Sequence, residues 1–378
     1  MRILVLADIH IGSIKDCTYI YNIITDIIEK EIEFTKTDAL IILGDYFDRL
    51  FKVNEEYVGL AINTMSYIVR ACAKNHTKIR LIYGTESHEM DQYKLFNYHF
   101  TSKKVDIKLF NTATEEELFP GINVLYLPEE YIQDKHEFYK DTLYGGKHYN
   151  YIFGHGVIED GMPAAVSFGR NSQNVEKQVP RFKSGELANA SSVCVFGHYH
   201  VHTVMDGNVH YLGSLFRNCF GEETPKGYGV ITDDQLEFIE NKEAYIYKTY
   251  EFNEDSDVYK STDELIKGIN KIKEENPEIF KGVHYGKIRA IFHCPTFCDM
   301  AFKDNLKALL FNDKTIRPII EETMSLSDEE EEIQDEYSFV LDNSMKLTDK
   351  IHMFITKRYE NPMSLEELVD YITKPLEV

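Results

Sequence analysis

The stretch RILVLADIH, residues 2–10, decides the fold. Its apolar part meets Asp8 too soon to be the core of a signal peptide, so it reads as a buried first strand that delivers Asp8 and His10 at its end. The same form recurs along the chain. Residues 39–43 (ALIIL), 79–83 (IRLIY), 123–127 (NVLYL), 149–153 (YNYIF) and 193–196 (VCVF) are short β-rich apolar runs bounded by Gly, Pro or polar residues. Segments 17–34 and 54–75, between the first three runs, have helical spacing. Strand–helix–strand alternation with strands apolar on both faces predicts an α/β fold.

Beyond residue 200 the pattern changes. HTVMDGNVHYLGS carries an Asp-Gly turn, and GYGVITDD and EAYIYKTYEF follow as hairpin-like strands. EFNEDSDV, 251–258, reads as a linker, after which 262–276, 284–293, 302–311 and 315–320 alternate helix and strand in a small α/β module. Residues 321–337 hold nine acids and no base, the composition of a solvated linker. Two helical patterns close the chain, 346–358 and 365–373, the second with Ser364 and Glu367 as a capping box.

With 378 residues, two or three domains are expected. No apolar run reaches the roughly 18 residues of a membrane span, and a cytoplasmic location is expected. The six cysteines are scattered, most of them in apolar surroundings, and read as reduced core residues. HCPTFC, 293–298, could be half of a zinc site, but the sequence shows no second half. The net charge of −22 argues against a protein wrapped broadly around nucleic acid. Residues 256–320 are the exception, with eleven Lys and Arg against nine Asp and Glu, the one regional signal toward a polyanion.

Five elements follow apolar runs in the same way: LADIH with Asp8 and His10, LGDYFDR with Asp45 and Asp48, YGTESHE with His88, FGHG with His155, and FGHYH with His198 and His200. Singly, each has an ordinary structural reading. Together they fit the crevice beyond the carboxyl ends of strands, where α/β sheets build their sites. Two divalent ions about 3.5–4 Å apart can clamp both oxygens of a phosphoryl displacement. A carboxylate must bridge them, and Asp45 is the natural candidate. Mixed oxygen and imidazole donors suit manganese, iron or zinc better than calcium. A histidine left free of metal can protonate the departing oxygen.

The pattern D-x-H … G-D-x-x-D … G-N-H-D/E … G-H … G-H-x-H resembles the signature of calcineurin-like metallophosphoesterases, and four of its five blocks stand intact and in order. The resemblance implies a two-sheet β-sandwich flanked by helices, with a dinuclear site. Asp8, His10, Asp45 and His200 would hold one metal, and Asp45, His155 and His198 the other. Asp48 would orient His88, the leaving-group residue. Within the superfamily the chain is similar to the SbcD and Mre-eleven branch of DNA nucleases, which includes phage recombination nuclease small subunits. YLGSLFRNCFGEE, 211–223, resembles that branch's motif after the last histidines. By this likeness, 1–250 would be the nuclease domain, 256–320 a DNA-capping domain, 321–344 an acidic linker, and 345–378 the helices that dock on an SbcC/Rad-fifty-type coiled-coil ATPase. The resemblance implies DNA as substrate, two manganese ions, a homodimer and no membrane.

The third block departs from the family. Its asparagine, which gives an amide oxygen to the second metal, is replaced within Gly84-Thr85-Glu86-Ser87-His88. Ser87 takes the slot counting back from His88 and Thr85 counting forward from Gly84. Glu86 is chemically the strongest donor. Ser87 is the expected ligand, with Glu86 in reserve. Two alternatives stand beside the nuclease: a same-fold phosphoesterase acting on nucleotides, small diesters or phosphoproteins, and a decayed scaffold subunit. GDYFDR also resembles protein-phosphatase wording, in which Arg49 would contact phosphate.

Overall fold

The computed structural model describes residues 1–102, 104–161, 179–294, 300–311 and 313–322. The expected partner-binding helices at 345–378, all but the first two residues of the acidic linker, and Cys298 lie outside them. The strands in chain order are β1 (Arg2–Leu6), β2 (Ala39–Leu43), β3 (Lys78–Ile82), β4 (Ile107–Phe110), β5 (Thr114–Phe119), β6 (Ile122–Leu127), β7 (Tyr149–His155), β8 (Val157–Ile158), β9 (Arg181–Phe182), β10 (Ser191–Gly197), β11 (Thr203–Met205), β12 (Val209–Tyr211), β13 (Gly227–Thr232), β14 (Gln235–Glu240), β15 (Ile246–Phe252), β16 (Gly286–Cys294) and β17 (Ile316–Glu322). Two six-stranded sheets form the body, in the orders β14-β13-β1-β2-β3-β4 and β11-β12-β10-β7-β6-β5. β1 to β4 are parallel, as are β12, β10, β7 and β6.

The alternation of side chains along β1 explains the layering. Ile3 and Val5 pack with Tyr126, Tyr151, Phe153, Val193 and Val195 of the second sheet, making the apolar layer between the sheets. Leu4 and Leu6 face the other way, into a core with residues of helices α1 (Cys17–Ile28) and α2 (Glu56–Asn75). The second sheet's outer face buries Ile152, Cys194 and Phe196 with Leu187 and Ala190 of the helix Ser184–Ala190. Each large aliphatic side chain so buried stabilises the fold by roughly 1.5–3 kcal/mol. The architecture is thus the expected sandwich of two sheets flanked by helices. Asp16 caps α1 by accepting from the backbone N–H groups of Thr18 and Tyr19. Asp206 and Gly207 take the positive φ that the reversal between β11 and β12 needs.

Contact density divides the chain into two compact units. Of the described residues, one holds those within Met1–Glu251, Ile266–Ile291 and Leu309–Ile319, and the other those within Phe252–Leu265, Phe292–Ala308 and 320–322. The helices Thr262–Glu275 and Met300–Leu310 and the strands β16 and β17 form where the sequence places them. β15 departs from the sequence reading, because it joins a three-stranded sheet in the order β15-β16-β17 instead of extending the hairpin strands before it. Cys72, Cys194 and Cys294 are buried free thiols, and Cys219 is an exposed one. No helix among the described residues is long and apolar enough to cross a membrane.

The run IRLIY hides one charge. Arg80 is fully buried on β3, with Nε 2.7 Å from Glu116 Oε2 and Nη1 3.0 Å from Asp106 Oδ1. Replacing Glu116 by alanine leaves the guanidinium under-compensated, and a loss of about 3 kcal/mol in urea unfolding is expected. Burial raises the Glu116 pKa, but hydrogen bonds from Arg80 and Lys108 outweigh it and hold the value below the ordinary 4.5. A depressed carboxylate contributes stability above its unfolded pKa and loses it as pH falls through the folded one. Glu116→Gln should therefore flatten the decline of stability below that ordinary value of 4.5.

Candidate metal centre

Six parallel strands, three from each sheet, end at one rim. β1 leads to Asp8 and His10, β2 to Asp45 and Asp48, and β3 to Thr85 and His88. From the second sheet, β6 leads to Glu129, β7 ends on His155, and β10 leads to His198 and His200. The loops after β1 and β2 are zipped together, His10 N–H donating to the Asp45 carbonyl at 3.0 Å and Ile11 N–H to the Tyr46 carbonyl at 2.9 Å. Asp8, His10, Asp45 and His198 all have positive φ, of 48°, 48°, 46° and 103°. Non-glycine residues rarely adopt this conformation, and it concentrates at functional loops. Gly84 is required by close approach, since a Cβ there would strike the backbone N and Oδ1 of Asp45.

Asp8, His10 and His200 form the first group, their donor atoms all within 4.8 Å of one another. His10 Nε2 lies 3.0 Å from His200 Nε2. His200 Nδ1 is 2.7 Å from Glu222 Oε1, so its proton sits there and Nε2 presents a lone pair. His10 Nδ1 is buried without a hydrogen-bond partner, 3.9 Å from Asp48 Oδ1. Two imidazole nitrogens about 2.1 Å from one ion, at a right angle, lie about 3.0 Å apart. The pair therefore fits a shared cation.

Glu129, His155 and His198 form the second group. His155 Nδ1 donates to the Leu43 carbonyl at 2.7 Å, which turns Nε2 toward Asp45 Oδ2 at 3.5 Å. The same Asp45 oxygen is 3.8 Å from His10 Nε2, so it lies between the two groups, as a bridging carboxylate must. Glu129, to which the sequence reading assigns no role, places Oε2 3.3 Å from His198 Nδ1 and 4.0 Å from His155 Nε2. The signal for it was the apolar run 123–127, which has the form of the other strands and ends in an acid pair.

The structure corrects three expectations. Ser87 does not join the cluster; it is exposed on α3 (Glu86–Glu89), as is Glu86. Thr85, the residue before that helix, is the one that lies against the cluster: its N–H donates to Asp45 Oδ1 at 2.7 Å, and its Oγ1 is 3.3 Å from Glu129 Oε2 and 3.4 Å from His155 Nε2. Asp48 orients His88 through its backbone carbonyl, which accepts from Nδ1, and not through its carboxylate. Arg49 does not reach the cluster either. It pairs with Glu55 at 2.5 Å and lies over the rings of Phe51 and Tyr57. His88 itself stands at the rim, half-buried, its ring 5.1 Å from that of His10.

Glu222, from the stretch 211–223, adds a layer behind His200. Buried Lys226 donates to the His200 carbonyl at 2.6 Å and lies 3.1 Å from Glu222. Burial raises the Glu222 pKa, yet His200 and Lys226 bring it down to about 2, so it is ionised at neutral pH. A carboxylate behind a ligating histidine typically accounts for 10–100-fold in metal affinity. Glu222→Ala should weaken the first ion by about that factor in a manganese titration, with the second little changed.

Electrostatics point the same way. Burial, then His200, lowers the His10 pKa to about 3. Burial raises Asp8, whereas His155 and His10 hold Asp45 well below the carboxylate range against its own burial. Asp45, Asp8 and Glu129 raise the proton affinity of His155 well above the ordinary, outweighing its burial. Buried carboxylates thus draw positive charge inward, a demand that divalent cations satisfy. The cluster is closed on the side of Asp8 and His155 and open toward solvent at His198 and His200, whose side chains are 21% and 24% exposed.

No curated protein matches the chain. Among the solved structures similar to this chain, one aligns over 63% of it and 98% of its own length, at 12% identity and a TM-score of 0.37. The family model for calcineurin-like phosphoesterases matches residues 1–202, more than half the chain and every strand end of the centre. That match places the chain in the calcineurin-like phosphoesterase family, and the donor groups around Asp45 lie within the matched residues.

Proposed function

We propose that the chain is the catalytic subunit of a manganese-dependent DNA nuclease, acting as a homodimer with an SbcC/Rad-fifty-type ATPase. Family and donor set make it a metal-dependent phosphoesterase; the DNA substrate is the further step. One observation carries it: the stretch that resembles the nuclease branch, 211–223, supplies Glu222, which holds His200 in place. Asp8, His10, Asp45 and His200 would hold one ion, and Asp45, His155 and His198 the other. Bound divalent ions supply Lewis acidity toward a phosphoryl oxygen and lower the pKa of water. Asp45 offers its carboxylate to both sides. His88 donates from Nδ1 to the Asp48 carbonyl, so Nε2 is the nitrogen left to face the departing sugar oxygen. As the imidazolium, protonated on both nitrogens, His88 would give that oxygen its Nε2 proton and be left neutral. Residues 256–320 and 345–378 are assigned to DNA and ATPase contacts by their order along the chain.

The test is hydrolysis by the full chain, with manganese, of linear single- and double-stranded DNA, with and without the ATPase, beside small phosphomonoesters and diesters. Cleavage of the small esters with DNA untouched would sink the nuclease reading. The net charge of −22 favours that second reading, a phosphoesterase for small or protein substrates. Against it, the pairing of Arg49 with Glu55 occupies the arginine that such a phosphatase would turn to phosphate.

A further inference from the structure

We infer that Glu129 is a ligand of the second ion, supplying from β6 the oxygen that the family pattern takes from a carboxamide after β3. The inference rests on the two-ion phosphoesterase reading above and concerns how this chain completes the second site. Glu129 is buried, 7% exposed, and its Oε2 stands 3.3 Å from His198 Nδ1. Two donors about 2.1 Å from one ion are about 3.0 Å apart at a right angle and about 3.4 Å apart at the tetrahedral angle, and the 3.3 Å separation lies within that range. His155 Nε2 lies 4.0 Å from the same Glu129 oxygen, and the hydroxyls of Thr85 and Tyr131 lie at 3.3 Å and 3.5 Å from the carboxylate. Among the described residues no lysine or arginine pairs with it. Its only basic neighbours among those residues are the imidazoles of His155 and His198, the two other members of the same donor group, so the carboxylate is aimed at the place where a cation would be held.

The adjacent acid shows the contrast. Glu130 is fully engaged elsewhere, accepting from Thr112 Oγ1 at 2.6 Å, Ala113 N–H at 3.3 Å and Tyr139 Oη at 3.1 Å. Of the pair Glu129-Glu130, one faces the centre and the other ties down the loop. Thr85 then has a separate part: its N–H fixes Asp45, and its hydroxyl is placed to donate to Glu129. A charged carboxylate replacing a neutral amide makes the second site more anionic and tightens its hold on a divalent ion.

The test is calorimetric titration of the full chain with manganese chloride, for wild type, Glu129→Ala, Glu129→Gln and the control Glu130→Gln. Wild type and Glu130→Gln should bind two ions with equal affinities between the two proteins. Glu129→Ala should keep the first ion and weaken the second by at least about 100-fold, with Glu129→Gln about 10-fold weaker, the variant to rely on if alanine prevents folding. Two ions with wild-type affinity in folded Glu129→Ala or Glu129→Gln overturns this inference alone. Fewer than two ions in wild type overturns the two-ion reading itself, and this inference with it.

Discussion

His88→Ala should lose about 10²–10⁴-fold in the rate of DNA hydrolysis while still binding two manganese ions. The loss follows from the position of His88, at the open rim and held by the Asp48 carbonyl through Nδ1. It is in neither the Asp8–His10–His200 nor the Glu129–His155–His198 group, although a ligand atom of it also lies within 4.8 Å of those of His10 and Asp45. A sugar alkoxide is a poor leaving group and needs a proton as it departs, whereas a nitrophenolate does not. Substrate comparison therefore isolates the role. The variant should be impaired far less toward bis-nitrophenyl phosphate than toward DNA. Equal losses on both substrates with ions retained would show that His88 orients phosphate and does not deliver a proton. Loss of an ion in His88→Ala would make it a ligand, which its distance from His10 and Asp45 also allows geometrically.

Asp45→Asn should have the larger effect on metal. Its Oδ2 lies between His10 and His155, so replacing that oxygen removes a donor from both sides together. Asparagine is chosen because it tolerates the positive φ at position 45 and can still accept the Thr85 N–H through its own carbonyl oxygen. The stoichiometry should fall below two, and hydrolysis by about 10³-fold or more, corresponding to several kcal/mol of transition-state charge stabilisation. Thermal unfolding gives an independent readout. Ions that bind only the folded chain raise its melting temperature by mass action. Manganese should raise that of wild type and have much less effect on Asp45→Asn, with both alike in chelator. A variant that still gained the full increment would show that the ions do not share Asp45.

Much of this centre is legible in the sequence because buried parallel strands have an unmistakable form, and their ends are where α/β sheets put chemistry. Asp8, His10, Asp45, His155, His198 and His200 each follow an apolar run and converge as that form requires. Glu129 escapes because Pro-Glu-Glu after a strand reads as a solvated loop. It takes the pairing of β6 beside β7, Leu127 against Gly154, to bring it next to His155. That Thr85 and not Ser87 lies against the cluster depends on the short helix 86–89, on which Ser87 is exposed. Arg49 was misread for a local reason, a glutamate six residues on and two aromatic rings that hold its guanidinium. Arg80 looks like an interruption in an apolar strand, and its acids come from segments distant in sequence.

The left-handed backbone at Asp8, His10, Asp45 and His198 restricts what inheritance can do at the centre. Each position carries two requirements, a donor atom for the proposed ions and tolerance of an unfavourable φ. Aspartate, asparagine and histidine pass the second filter far more readily than branched or bulky side chains. Glutamate at position 8 or cysteine at position 198 could still coordinate a cation, but at a backbone cost the present residues largely avoid. Saturation mutagenesis scored by folded yield in chelator, where coordination is irrelevant, should still show a preference at these four sites. Part of what keeps these residues in place is therefore independent of the reaction.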